Sequence, residues 1–395
     1  MRASFQIGRL FGIPVRVTPS WFVTLALTVV LLAVRVYATV LPEAPAGTSW
    51  LLAVATALFF FLGILLHELG HALVARRLGV PVRGITLFLL GGLAQIAHEV
   101  RSPLTELAIA AAGPAVSLLL AGLFFALAHV PPAGQSVSLT LDTGDPLHPG
   151  HLLHVLWTAL WLLNLSLAVF NLVPGFPMDG GRLLRALLWL CLRSYRLATR
   201  IAGWVGQTIA LALIAFGVAT LFGLPGALFE GGALAGAWLV LVGGYLFNAT
   251  RATAAMERAL ETLRGYHARE LARSDVPVVS AAASLLTLLP GLLAAGDCDT
   301  AFVVEETPGE RQRVVGLLGR DAALLLPVAQ RGRILARQVM LPATAIRPAP
   351  PEEDGASLLR RLEAEGLPAV PVVTSNNEVL GMVSWHTLAR VLERR

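Results

Sequence analysis

Residues 58–77 read LFFFLGILLHELGHALVARR, and this stretch decides both the fold class and the chemistry. Two histidines and one acid follow directly on an unbroken apolar run, so ionisable groups lie deep within a segment suited to lipid. Each such group costs a few kcal/mol to insert into a bilayer, which makes function the default explanation for its presence. The stretch therefore predicts a membrane-spanning helix that carries a functional polar site.

The spacing of these polar residues is that of a metal site. Residues four apart share one face of a helix, so His67 and His71 can direct two imidazoles at one ion. Glu68 projects about 100° away, beside the open coordination position. A catalytic zinc ion keeps three protein ligands and leaves a fourth position for water. The pattern predicts zinc and requires a third ligand; the alternative is an ordinary polar face of a helix.

Composition places most of the chain in a membrane. Of the 395 residues, 56% are hydrophobic and 14% are charged, against roughly a quarter charged in soluble proteins. The first 19 residues contain no central apolar run, so we expect no cleavable signal peptide. Six apolar stretches have about the 17–25 residues needed to cross a bilayer. They cover residues 20–40, 50–75, 104–129, 151–173, 201–222 and 232–250.

The basic residues, all arginine, are explained by topology rather than by nucleic acid. The connections at 41–49, 130–150 and 223–231 contain none, and Arg35 is the one exception to a regular alternation. Basic flanks favour the cytoplasm, so we expect the N-terminus, the C-terminal tail and the metal site on the cytoplasmic side. The cytoplasmic flanks hold Arg2, Arg9, Arg16, Arg76, Arg77, Arg83, Arg101, Arg182, Arg185, Arg193, Arg196 and Arg200.

Two further segments have recognisable organisation. Residues 84–96 form two apolar runs around Gly91-Gly92, which predicts a β-hairpin too short to span. Strand edges are not tolerated against lipid, so we expect a re-entrant or interfacial hairpin beside a wet cavity. After residue 255 the chain reads as a soluble α/β repeat. Its predicted strands are 301–305, 314–318, 370–373 and 379–383, with helices starting at Asp321 and Thr387.

The strongest candidate for the third metal ligand lies at the end of the fourth span. Residues 171–182 read NLVPGFPMDGGR, and their two prolines and three glycines interrupt the span. The freed backbone groups need a cavity, water or substrate. Asp179 can ligate the ion from this break; the alternative is that it caps the helix over 180–192.

The HExxH helix and the N-x-x-P-x-x-x-x-D-G segment together resemble the site-2 protease family of intramembrane metalloproteases. Residues 5–17, the Gly91-Gly92 pair and Gly113-Pro114 resemble members with a C-terminal pair of CBS modules. The resemblance implies six transmembrane helices over 1–255, then CBS modules at 256–330 and 331–395. It also implies cleavage of a single-pass membrane protein, such as an anti-sigma factor or another tethered regulator, within the bilayer (regulated intramembrane proteolysis).

What the family implies agrees with the chemistry of the residues. One zinc ion held by His67, His71 and Asp179 would polarise the scissile carbonyl, and Glu68 would move the proton from water to the leaving amine. Asn171 is a candidate donor to the oxyanion, with an interhelical hydrogen bond as the alternative. The 84–96 hairpin would offer an edge strand to an unwound substrate.

The CBS tail departs from the family's ribose-binding signature. The first module reads GLLGRD over 316–321, without the hydroxyl and with Asp321 one position early, and the second reads GMVSWHT over 381–387, without any acid. Binding of an adenosine nucleotide is therefore in doubt, and a structural or homodimerising role is the alternative. Asp321 is instead expected to cap the helix that follows it.

The remaining polar residues support weaker interpretations. His148, His151 and His154 favour a solvated loop over a metal site, and His98 fits a cavity entrance or a surface equally. Cys191 and Cys298 lack metal or redox spacing and predict no disulfide. Rival functions are a CBS-regulated ion transporter, a catalytically inactive membrane chaperone and a different membrane HExxH enzyme. The inverted repeats expected of a transporter are not found in the sequence. The intact Glu68 argues against a catalytically inactive chaperone.

Overall fold

The computed structural model describes residues 4–88, 91–96, 102–129, 148–223, 232–294, 299–305, 313–376 and 378–393. The chain forms two compact units, Met1–Ala254 and Ala255–Arg395. The first unit combines long apolar helices with one sheet, and the second is built from short helices and strands.

The predicted six spans are confirmed, and the chain is a multi-pass membrane protein. The six helices are long and apolar enough to cross a bilayer. Their ends differ from the predicted ones by a few residues, except that the sixth helix continues 13 residues beyond the predicted end at 250. A π-helical stretch, Leu32–Tyr37, lies within the first. They are α1 (Pro19–Val40), α2 (Ala46–Arg77), α3 (Pro103–His129), α4 (Pro149–Leu172), α6 (Tyr195–Leu221) and α7 (Gly232–Leu263).

One further helix of this unit, α5 (Asp179–Leu192), is too short to span. Its 14 residues rise about 21 Å, less than the roughly 30 Å of a hydrocarbon core. It follows the interruption predicted after the fourth span, where the backbone leaves helix at Val173. The interruption therefore ends one helix and leads into another, α5, which packs on α3 and α6.

The predicted hairpin is confirmed within the residues described, and it belongs to a larger sheet. Strands β3 (Val82–Phe88) and β4 (Gly91–Ile96) pair antiparallel. Two N-terminal strands that the sequence did not reveal, β1 (Phe5–Leu10) and β2 (Ile13–Val17), complete the order β1-β2-β3-β4. Because β3 pairs with β2 on its other side, β4 is an edge strand among the strands that the structure describes.

The sheet is fixed to α2 by apolar packing. Ile13, Val17, Ile85 and Leu87 are at most 3% exposed and pack in one cluster with Phe61 and other residues of α2. Alternate residues of a strand face the same side, so β2 and β3 can each present an apolar face to the helix. This packing sets the sheet beside the HExxH turn of α2.

The second unit has the predicted strands and helices. A four-stranded sheet has the order β5-β6-β7-β8, and β9 pairs with β10. The strands are β5 (Val278–Ser280), β6 (Thr300–Glu305), β7 (Arg313–Gly319), β8 (Leu341–Pro342), β9 (Ala369–Val373) and β10 (Val379–Ser384). The helices are α8 (Ala268–Leu271), α9 (Leu285–Ala294), α10 (Arg320–Leu324), α11 (Val328–Arg331), α12 (Ala336–Val339), α13 (Gly355–Glu365) and α14 (Trp385–Glu393), with a 3-10 turn at Ala343–Ala345.

Two details of this unit bear on the sequence predictions. The expectation that Asp321 caps a helix is wrong, because α10 already begins at Arg320 and Asp321 makes no capping hydrogen bond. The division of the tail at residue 330 stays a prediction. Cys191, in the first unit, is a free, exposed thiol, while Cys298 lies outside the described residues.

The core of the second unit supports a stability prediction. Leu358 on α13 is fully buried in its largest apolar cluster, whereas Leu325 is 86% exposed. Leu358→Ala should lower the free energy of unfolding of this unit by about 2–5 kcal/mol through loss of packing. Leu325→Ala should change it by no more than about 0.5 kcal/mol. Urea-dependent amide hydrogen exchange of β9, measured on the full chain, checks both values, and equal effects would contradict the assigned core.

Candidate metal centre

Three of the predicted site residues converge, although one is more than a hundred positions from the others. Asp179 Oδ2 lies 3.1 Å from His67 Nε2 and 3.0 Å from His71 Nε2. The two Nε2 atoms are 3.2 Å apart. In the described part of the chain these three residues form the one group of histidine, cysteine and acidic side chains with a metal-site arrangement.

The far side of each imidazole is held by α3. His71 Nδ1 donates to the carbonyl oxygen of Ile109 at 2.7 Å, and His67 Nδ1 is 2.8 Å from Ser117 Oγ. A carbonyl oxygen can only accept, so neutral His71 carries its proton on Nδ1 and a lone pair on Nε2. Hydrogen bonds of this kind commonly orient metal-ligating histidines.

The donor set fits a zinc ion. The lone pair of His71 Nε2 and the carboxylate of Asp179 face each other in a buried site, where they repel unless a proton or cation lies between them. Donors about 2.0–2.1 Å from a tetrahedral zinc ion are separated by about 3.3 Å, close to the spacing observed. Nitrogen and carboxylate ligands are those that zinc accepts in catalytic sites.

Asp179 occupies the first position of α5 rather than the cap. Met178 is the capping residue, and no side-chain capping hydrogen bond is present. The preceding turn is fixed by Thr250 Oγ1, which donates to the carbonyl oxygen of Phe176 at 2.5 Å. A Cβ on Gly180 would lie 2.2 Å from the carbonyl oxygen of Val173, so only glycine permits this close return of the chain. The carboxylate is thereby directed to the histidines.

Glu68 lies on the other side of the site, against the hairpin. Its Oε2 accepts a hydrogen bond from the backbone N–H of Ala94 on β4 at 2.8 Å. A Cβ on Gly92 would lie 2.4 Å from Glu68 Cγ, so the strand approaches as closely as glycine allows. Glu68 and the three candidate ligands line one cavity of about 490 Å³ together with β4. The hairpin therefore forms one wall of the cavity. This is consistent with the expectation that its strand edge does not face lipid.

Asn171 also lines this cavity, but its observed bond lies within its own helix. Its amide nitrogen donates to the carbonyl oxygen of Leu167 at 2.9 Å, which is not the interhelical bond considered as the alternative. A side-chain amide has two N–H donors, so this bond uses only one of them. The oxyanion role of Asn171 stays a prediction.

The other histidines do not assemble a comparable site in the part of the chain that the structure describes. His148 Nδ1 accepts from the N–H of Gly150, and His154 Nδ1 donates to the carbonyl oxygen of Ala128 at 2.9 Å. His151 and His154 join no third ligand among these residues. His98 lies outside the described residues.

Sequence reasoning missed the role of α3 in this site. A Cβ on Gly113 would lie 2.2 Å from His71 Nε2 and 2.6 Å from His67 Nε2. The run AAAG over 110–113 was a usable signal, because small residues let transmembrane helices pack at short distance. The partners Ile109 and Ser117 follow from that packing.

Comparisons with known proteins identify the families that the two parts of the chain resemble. Residues 55–216 match the model of Peptidase family M50, and residues 336–394 match that of the CBS domain. A Mycobacterium tuberculosis protein carrying the name zinc metalloprotease Rip3 is 32% identical over 408 residues, covering 100% of this chain and 94% of that protein. A Synechocystis protein also named as a zinc metalloprotease is 29% identical over 403 residues, covering 100% and 96%.

Among solved structures, the chain is similar to the site-2 protease from Methanocaldococcus jannaschii. The sequence identity is 26% and the TM-score is 0.39, with 64% of this chain and 95% of that chain covered.

The close contact at Gly113 yields a prediction about metal binding. Gly113→Ala should abolish stoichiometric zinc binding, because the added methyl group would occupy the space between the two imidazoles. Gly122→Ala is the matched control on α3, since its methyl group would meet no atom within 4 Å. Zinc content of both purified variants, measured by mass spectrometry, decides the matter. Equal zinc content would contradict the assigned contact.

Proposed function

This chain belongs to Peptidase family M50 and is a zinc metalloprotease of the site-2 protease type with a CBS domain; from that premise we propose that it cuts a single-pass membrane protein within its transmembrane segment. The observation that carries the proposal is the convergence of His67, His71 and Asp179 beside Glu68 in a cavity among membrane-spanning helices.

The chain's own residues divide the chemistry among them. His67, His71 and Asp179 would hold one zinc ion, which when bound supplies Lewis acidity to a water molecule and a carbonyl group. Glu68 would take a proton as the water oxygen bonds to the carbonyl carbon, and return it to the amine nitrogen as the C–N bond breaks. The Ala94 N–H holds the carboxylate in place for both transfers.

Asn171 would supply the donor for the developing oxyanion. Its second amide N–H is not used by the bond to Leu167 and belongs to a side chain that lines the cavity. A donor fixed by one bond to its own helix needs little reorganisation during the reaction, which is the condition for effective electrostatic stabilisation.

The open edge of β4 would bind the substrate as an extended strand. The N–H of Ala94 points to Glu68, away from β3, and residues two apart in a strand direct their backbone groups to the same edge. Gly92 and Ala94 therefore present this edge beside Glu68. A transmembrane helix must unwind before its carbonyl groups become accessible, and pairing with β4 compensates for its lost backbone hydrogen bonds.

The cellular role that we propose follows from the distribution of charge. Basic residues flank the ends of the spans nearest the HExxH turn, including Arg76 and Arg77 at the end of α2. They support a cytoplasmic N-terminus, a cytoplasmic CBS tail and a cleavage site toward the cytoplasmic leaflet. Cleavage there would release the cytoplasmic part of a tethered regulator such as an anti-sigma factor. We assign the CBS tail a regulatory or homodimerising role and assign it no nucleotide.

Replacing the proton-transfer residue tests the proposal directly. Glu68→Gln should lower cleavage of a panel of purified single-pass substrates by at least about 100-fold, because general acid-base catalysis is lost. It should retain one zinc ion per chain. Glu43→Gln, at an exposed acid in the connection after α1, is the control and should cleave like the wild type. Undiminished cleavage by Glu68→Gln would rule out the mechanism.

Substrate pairing with β4 is testable by disulfide crosslinking. Leu93→Cys in a Glu68→Gln, Cys191→Ser, Cys298→Ser background should crosslink to substrate cysteines at positions two residues apart, the period of a strand. Leu119→Cys, on α3 and 73% exposed, is the control and should show no such period. Crosslinks to Leu93→Cys at a spacing of three or four residues would show a helical substrate and contradict the pairing.

A further inference from the structure

We propose that the buried ion pair between Glu106 and Arg185 is a positioning device, which sets the third metal ligand in register with the two histidines. Neither residue contributes a ligand, and neither was among the residues that the sequence singled out for chemistry. The inference rests on the proposed zinc site and adds residues that act through others.

The need for such a device follows from how the ligands are divided. Both imidazoles are held from behind by α3, through Ile109 and Ser117. Asp179, in contrast, is carried by α5, which begins after the interrupted segment. The ligand geometry therefore depends on the placement of α5 against α3, because a shift between these helices would move Asp179 away from the imidazoles.

The ion pair joins those two helices. Glu106 lies in the first turn of α3 and Arg185 in the second turn of α5, and they are 1% and 8% exposed. Arg185 Nε donates to Glu106 Oε1 at 2.9 Å, and Nη2 donates to the same oxygen. A planar guanidinium that uses two donors fixes direction as well as distance.

Arg185 also holds the start of its own helix. Its guanidinium carbon lies 5.1 Å from the ring centre of Phe176 and 5.0 Å from that of Tyr195. Phe176 precedes Asp179 by three residues, and its carbonyl oxygen accepts the hydrogen bond from Thr250. The turn that presents Asp179 is thus held at two points, the aromatic ring and the backbone carbonyl oxygen of Phe176. The ring contacts Arg185, which in turn binds Glu106 on α3.

Stability alone does not account for the pair. Burying two charges costs several kcal/mol each, and an apolar replacement of a buried pair is often neutral or stabilising. Glu106 Oε2 makes no hydrogen bond to the residues that the structure describes, so the desolvation of this carboxylate is incompletely compensated. The pair is costly to bury, yet it joins the helix that holds both imidazoles to the helix that carries Asp179. The ligand geometry that it imposes explains its presence.

The experiment separates positioning from stability in the full-length detergent-solubilised protein. We compare Glu106→Gln, Arg185→Lys and the uncharged pair Glu106→Gln/Arg185→Met with wild type, and Arg200→Met, at an exposed arginine of α6, is the control. Zinc affinity is measured by chelator competition, Co2+ geometry by visible absorption, and stability by Tm.

Both single variants should bind zinc about 10–100-fold more weakly, the range for residues that orient metal ligands. Their Co2+ absorption spectra should shift, because a displaced Asp179 carboxylate would change the coordination geometry that it forms with the two imidazoles. The uncharged pair should regain a wild-type Tm without regaining zinc affinity. Unchanged affinity in the single variants, or recovery of affinity together with Tm, would show a merely structural pair. Wild type without stoichiometric zinc would instead overturn the proposed function itself.

Discussion

The structure depends on one electrostatic constraint, the meeting of two imidazoles and one carboxylate whose side chains are buried. Two imidazole nitrogens and a carboxylate oxygen lie 3.0–3.2 Å apart, and their lone pairs repel unless a proton or a cation lies among them. Three separate features are required to maintain it. Helix α3 fixes both rings from behind, the interrupted segment returns Asp179 to them, and the sheet places Glu68 beside them.

The sequence predicted the parts of this arrangement that depend on local periodicity. His67 and His71 could be paired because one helix carries both, and six spans could be counted because each is a continuous apolar run. Asp179 was reached through a motif rather than through geometry, since 108 positions separate it from His71. Its position at the break was informative, because prolines and glycines inside a membrane segment require a functional explanation.

The parts that could not be predicted are those set by helix packing and by distant strand pairing. Ser117 is 50 residues from His67, and Glu106 is 79 residues from Arg185. Nothing in the local sequence around either residue of a pair indicates its partner. Strand β2 pairs with β3 across about seventy residues, so its short apolar alternation reads as no more than a flank of the first span. The capping role expected of Asp321 failed because helix boundaries shift easily by one residue.

The hydrogen bond between Ala94 and Glu68 has a further consequence. One backbone N–H donates one strong hydrogen bond, so it cannot fully serve the carboxylate and an incoming peptide strand together. A peptide that pairs through this N–H must displace Glu68, whereas one that pairs around it leaves the acid restrained. Because the mechanism needs Glu68 restrained during both proton transfers, it favours a substrate strand that pairs with the neighbouring backbone groups of β4 and leaves the Ala94 N–H to the carboxylate.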